Sequence, residues 1–126
     1  MRPTMYTPIM ILISEPIVRS VIQETLEHEG YSVMAAGDLG TAIDRLKELT
    51  PELLMIGPYV ESIAGYDAAM FLRTKCPGLR VLMVGGLIDD DRLQYRMTLE
   101  GFDIFPKPFS AASLLEKVKE VLQHTP

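Results

Sequence analysis

The feature of this sequence that most restricts its fold is a set of short, unbroken apolar runs separated by segments of helical period. Ile9-Met10-Ile11-Leu12-Ile13, Leu53-Leu54-Met55-Ile56 and Val81-Leu82-Met83-Val84 contain no polar residue. A strand solvated on one face alternates polar and apolar side chains, so a run without alternation reads as a strand covered on both faces. Tyr31-Ser32-Val33-Met34-Ala35 and Phe102-Asp103-Ile104-Phe105 are mixed, as outer strands of a sheet are.

The intervening segments are helical. Val18, Val21, Ile22, Thr25 and Leu26 fall on one face of a first helix. Pro16 suits its first turn and Gly30 the position just past its end. A second helix opens at Asp38 as N-cap, turns Leu39, Ala42, Ile43, Leu46 and Leu49 inward, and is ended by Pro51. A third runs from about Tyr66 to Lys75 and stops at Pro77. A fourth begins near Asp89–Asp91 and ends at Gly101. A fifth opens at Ser110 and puts Leu114, Leu115, Val118, Val121 and Leu122 on one side. A β-α unit repeated five times requires a parallel sheet with right-handed crossovers and helices on both faces. One α/β domain over residues 9–123 is expected, with 1–8 and 124–126 as loose tails.

Composition narrows the function classes. At 126 residues the chain is too short for two cores, and 48% apolar content suffices to offset chain entropy. The net charge of −5, with no basic run longer than two residues, argues against a nucleic-acid surface. The longest apolar run, Ile9 to Ile13, is far short of a membrane span. The opening MRPTMYTP has prolines where a signal peptide needs an apolar region, so none is expected. The single cysteine, Cys76, excludes an internal disulfide and a Cys-based zinc site, and fits a reducing cytoplasm.

Open α/β sheets bind ligands beyond the carboxyl ends of their strands. The residues there are Ile13-Ser14-Glu15, Gly57-Pro58-Tyr59, Gly85-Gly86 and Pro106-Lys107-Pro108. In these segments, and around them, the chain resembles the receiver domain of two-component response regulators, the CheY-like family, from about Ile9 to Leu122. ILISEP followed by Gly30-Tyr31 has the family's first strand-helix spacing. PELLMIG at 51–57 looks like its PDLVLLD strand, with Gly65 eight residues later. LEGFDIFPKPF at 99–109 looks like its LEAGADDYLTKPF region. The resemblance implies a flavodoxin-like (βα)5 domain with a five-stranded sheet of order 2-1-3-4-5.

In the family, an aspartate ending the third strand accepts a phosphoryl group and two acids after the first strand hold Mg²⁺. A Thr or Ser after the fourth strand and a Lys after the fifth contact the phosphoryl oxygens. An aromatic three residues before that Lys rotates with the switch. A carboxylate nucleophile, oxygen ligands for a hard cation and positive charge around the phosphoryl group are what that chemistry needs. Transferred to this chain, the acceptor position is Gly57. The acid pair falls on Ile13 and Ser14, with Glu15 as the extra acid before Pro16; a shift by one residue still leaves one carboxylate. The Thr/Ser position is Gly85 and the switch aromatic is Ile104. Lys107 is retained, with Pro108 after it and a cis Lys107–Pro108 bond implied by the resemblance. Pro106, lacking an amide donor, fits a last strand at the sheet edge.

Other sites weigh less. An exposed Glu15–Lys107 pair makes an ion pair more readily than a catalytic one. Gly85-Gly86 lacks the flanking pattern of a phosphate loop and gives its loop backbone freedom. Tyr59 and Tyr66 read as rim packing. His28 reads as a helix-end charge partner, and Cys76 as a small hydrophobe. Asp89-Asp90-Asp91 reads as an acidic helix start. No Ser/His/Asp or Cys/His constellation assembles at the strand ends, so no enzyme, metal or cofactor is expected.

The chain therefore reads as a degenerate receiver. It is a cytoplasmic, phosphorylation-independent module for docking a signalling protein or output domain, or for dimerisation. By resemblance the contact face is built from the fourth helix, fifth strand and fifth helix, with Arg92, Tyr95, Arg96, Lys117 and Glu120 as exposed candidates. Two alternatives stay open: a phosphorelay receiver with unusual phosphoryl acceptance, and a flavin or nucleotide binder using the hollow at Gly57 and Gly85.

Overall fold

The computed structural model describes residues 7–85, 91–105 and 110–123. In chain order the elements are β1 (Pro8–Leu12), α1 (Pro16–His28), β2 (Ser32–Ala36), α2 (Leu39–Arg45), β3 (Leu53–Ile56), β4 (Tyr59–Val60), β5 (Ile63–Ala64), α3 (Gly65–Lys75), β6 (Arg80–Val84), α4 (Asp91–Leu99), β7 (Asp103–Phe105) and α5 (Ala111–Gln123). The main sheet has the order β2-β1-β3-β6-β7, all neighbours parallel. With the small hairpin β4-β5 set aside, this is the expected 2-1-3-4-5 flavodoxin-like sheet.

The unbroken apolar runs are explained by two cores. Met10 and Leu12 of β1, Leu54 and Ile56 of β3, and Val81 and Met83 of β6 pack on one side with Ala42, Ala68, Ala69, Leu72 and Met97 of α2, α3 and α4. The alternate residues Ile9 and Ile11, Leu53 and Met55, Leu82 and Val84 pack on the other side with Ile22, Leu26, Leu114, Val118 and Val121 of α1 and α5. Successive strand side chains point to opposite faces, so both must be apolar when both faces are covered.

The helix ends follow local chemistry. Gly30, at φ 100°, ends α1 with its N–H bonded to the Glu27 carbonyl, while Tyr31 N–H returns to the Leu26 carbonyl. That pair of bonds is a Schellman closure, and only glycine reaches this φ without strain. Asp38 caps α2 through a 2.8 Å bond accepted from Thr41 N–H. Ser113 N–H donates to Ser110 Oγ at the start of α5.

Three expectations are corrected, and one element was not foreseen. Val21, placed inward by periodicity, is 58% exposed, because the sheet takes only the Ile22–Leu26 side of α1. Leu49 is exposed too, because α2 ends at Arg45, six residues before Pro51, and the chain turns away through Leu46–Glu48. The hairpin β4-β5 has no forerunner in the sequence reading: its two-residue strands are too short to leave a period. Tyr59 is exposed rather than packed at the rim. Tyr66 packs against the apolar core and the Phe102 ring, with centroids 5.6 Å apart.

Candidate functional site

The carboxyl edge of the sheet is assembled from the ends of β1, β3, β6 and β7. Past β1, Ile13 donates its N–H to the Ala36 carbonyl (3.1 Å) and buries its side chain in the α1/α5 core. Ser14 follows half-buried, and Glu15 is exposed. Glu15 occupies the N-cap of α1 in extended conformation without a side-chain cap, and its carbonyl accepts Arg19 N–H at 2.9 Å. Past β3, Gly57 is buried and donates to the Leu12 carbonyl at 3.3 Å. The ladder thus brings Ile13, Ser14 and Gly57 to one corner.

Gly57 and its neighbour in the next turn differ in kind. Gly57 has no left-handed φ, and a Cβ there would lie 3.6 Å from the Tyr59 carbonyl oxygen, an ordinary contact. Gly65 N–H donates to the Pro58 carbonyl at 2.7 Å, and a Cβ at 65 would collide with the Gly57 carbonyl oxygen. The start of α3 is thereby pressed onto the end of β3.

Past β6, Gly85 lies at φ 87° and donates to the Phe105 carbonyl at 2.9 Å. A side chain there would be strained, because L-residues rarely adopt that φ. Ile104, paired with Met83 in register, is half-buried against the α2/α3/α4 core. Lys107 and Pro108, with the cis bond expected between them, lie outside the described residues, as do Pro106, Gly86, Asp89 and Asp90. Among the described residues, no group of three His, Cys, Asp or Glu side chains comes together as metal ligands do.

One charged residue missing from the sequence reading enters this corner. Arg19 Nη1 donates to the Ile13 carbonyl at 2.8 Å and approaches the Ser14 carbonyl at 3.5 Å. Helical period alone assigns it to a solvated face. The usable signal was its place in the first turns of the helix that follows β1, within reach of the carbonyls just past that strand. Hydrogen bonding from Thr41 holds the Asp38 carboxyl below its usual range, and the Arg19 charge adds to this. Cys76 is buried, which pushes its thiol up.

On the face expected to make contacts, Arg92, Tyr95 and Arg96 are exposed on α4 and Glu120 on α5. A shallow hollow is lined by Arg92, Leu93, Tyr95, Arg96 and Leu99. Leu99, absent from the expected set, is 67% exposed beside Tyr95 at 66%. Lys117 is a correction: its side chain is mostly covered, held between Asp103 (3.7 Å) and Glu120 (3.2 Å).

Five parallel strands in this order, with helices on both faces, define a CheY-like α/β domain. The model of the response regulator receiver domain matches residues 9–119, and the chain belongs to that family. It is 28% identical over 123 residues to the "Probable transcriptional regulatory protein TcrX" of Mycobacterium tuberculosis, covering 94% of this chain and 51% of that one. It is 24% identical over 117 residues to the response regulator MprA of Mycobacterium avium, covering 93% and 51%. The chain therefore spans about half the length of these curated relatives. Among solved structures, chemotaxis protein CheY4 of Vibrio cholerae superposes with TM-score 0.81 at 17% identity, covering 91% of this chain and 98% of that one. A response regulator from Thermotoga maritima gives 0.80 at 22% identity, covering 94% and 98%. These two likenesses speak to the fold. No described helix is long and apolar enough to cross a membrane.

Proposed function

We propose that this receiver domain works without aspartyl phosphorylation, as a docking or self-association module of a two-component-type signalling protein. The observation that carries this reading is Gly57 at the end of β3, where the family's acceptor carboxylate would stand. A phosphoryl acceptor must lie in line with the groups that stabilise the transfer. Ile13 faces the core, and Glu15 is exposed at the helix start. With fewer acids at one corner there is less like-charge repulsion for a cation to relieve. Without the acids the ligand whose differential affinity would shift the equilibrium is lost, and the domain is expected to keep one conformation.

The contact face is α4, β7 and α5, with Arg92, Tyr95, Arg96 and Glu120 joined by Leu99, while Lys117 orders the face through Asp103. The partner is a protein: a signalling protein, a joined output domain of the kind that regulators of twice this length suggest, or a second copy. The domain acts in the cytoplasm, catalyses no reaction, holds no cofactor, and touches neither membrane nor nucleic acid.

Incubation with acetyl phosphate and Mg²⁺, read by intact mass, tests the central point. The wild-type mass is expected to stay unchanged. Gly57→Asp is expected to stay unlabelled too, because Ile13 and Ser14 supply no carboxylate for the cation. A gain of one phosphoryl group by the wild type would overturn the reading. Labelling of the variant alone would show that the cation site is misplaced.

A further inference from the structure

The guanidinium of Arg19 is seated in a way that no helix-surface arginine requires. Its Nη1 bonds the Ile13 carbonyl at 2.8 Å, one residue beyond β1, and reaches the Ser14 carbonyl at 3.5 Å. Across from these lies Gly37, the first residue after β2. A Cβ at 37 would stand 2.5 Å from Arg19 Nη1 and 3.3 Å from Cζ. Gly37 has no left-handed φ, so its backbone does not demand glycine; the neighbouring guanidinium occupies the space a side chain would take. Asp38, next in the chain, is committed to capping α2 through Thr41 N–H.

We infer that Arg19 and Gly37 form a clasp: the guanidinium, resting on Gly37 and bonded to the β1–α1 carbonyls, ties that turn to the β2–α2 turn. The clasp holds two loops of the sheet's carboxyl edge in one arrangement. It uses charge-assisted bonds to carbonyls that no strand pairs, and such bonds are stronger than neutral ones. It is independent of how the domain docks and of whether it is phosphorylated.

The amide of Ile13 is the reporter, since it bonds Ala36 across the two turns. Arg19→Met keeps the length of the side chain and removes the bonds. Gly37→Ala leaves Arg19 intact and fills its seat; the arginine can swing aside, so the fold survives. Each variant is expected to speed hydrogen exchange at Ile13 about tenfold, the scale of one lost hydrogen bond. The double variant is expected to be no faster than either single one, because both remove the same contact. In Arg19→Met the Asp38 carboxyl is expected to titrate higher, having lost the nearby cation. Wild-type exchange in Gly37→Ala, or multiplied effects in the double variant, would overturn the clasp.

Discussion

At the scale of single residues, three glycines at the carboxyl edge differ in whether anything requires them. Gly85 is held by its backbone, at φ 87°. Gly65 is held by a neighbour, since the Gly57 carbonyl occupies the space of a side chain. Gly57 is held by neither: its φ is not left-handed, and a Cβ there would make only an ordinary contact. Gly65→Ala is therefore expected to lose about 1–3 kcal/mol of stability, the scale of overpacking a closed site. Gly57→Ala is expected to melt near the wild type. Urea titration of both checks this, and equal midpoints would contradict the contact at Gly65. The sequence spacing picked out Gly57 and Gly65 together, but only coordinates separate a glycine that is needed from one that is merely present.

At the scale of elements, most helix ends were legible, the end of α2 excepted, and helix faces less so. Asp38, Ser110, Pro16 and Gly30 act within three residues of themselves, so their roles follow from local sequence. Val21 failed because inwardness depends on what lies opposite, and Leu49 failed because α2 ends before it. A heptad-like stripe says that a helix has an apolar side, not how wide a strip its neighbours cover. The Asp38 cap gives a pH test. Its carboxyl titrates below the ordinary 3.8, chiefly through Thr41 N–H, so the folded state prefers the charged form. Its contribution is complete above the unfolded value and is lost as pH falls through the lowered one. Asp38→Ala is expected to melt below the wild type at pH 7, with the gap narrowing as pH falls below about 4. A gap that stays constant down to pH 2 would remove the charge from the account.

At the scale of the whole molecule, the α4–β7–α5 face is where the proposed docking would take place. Tyr95 and Leu99 lie a helical turn apart, both about two-thirds exposed, beside Arg92 and Arg96. An exposed aromatic-aliphatic pair rimmed by arginines has the make-up of an interface centre. Leu99→Ser is expected to weaken self-association about tenfold, by sedimentation, with little change in melting temperature, because Leu99 is two-thirds exposed and lies outside both cores. An unchanged association constant would place the contact elsewhere.

The sequence by itself determined the β-α alternation, the parallel sheet covered on both faces, the family resemblance and the absence of a carboxylate at position 57. Each of these is written in residue type, or in a period of two or 3.6 along the chain. Tertiary structure alone decided that α2 stops at Arg45, that a hairpin follows β3, that Lys117 is pinned by Asp103, and that Arg19 reaches back over Gly37. These depend on contacts between segments distant in the chain or on a turn's path through space, and neither leaves a mark in local periodicity.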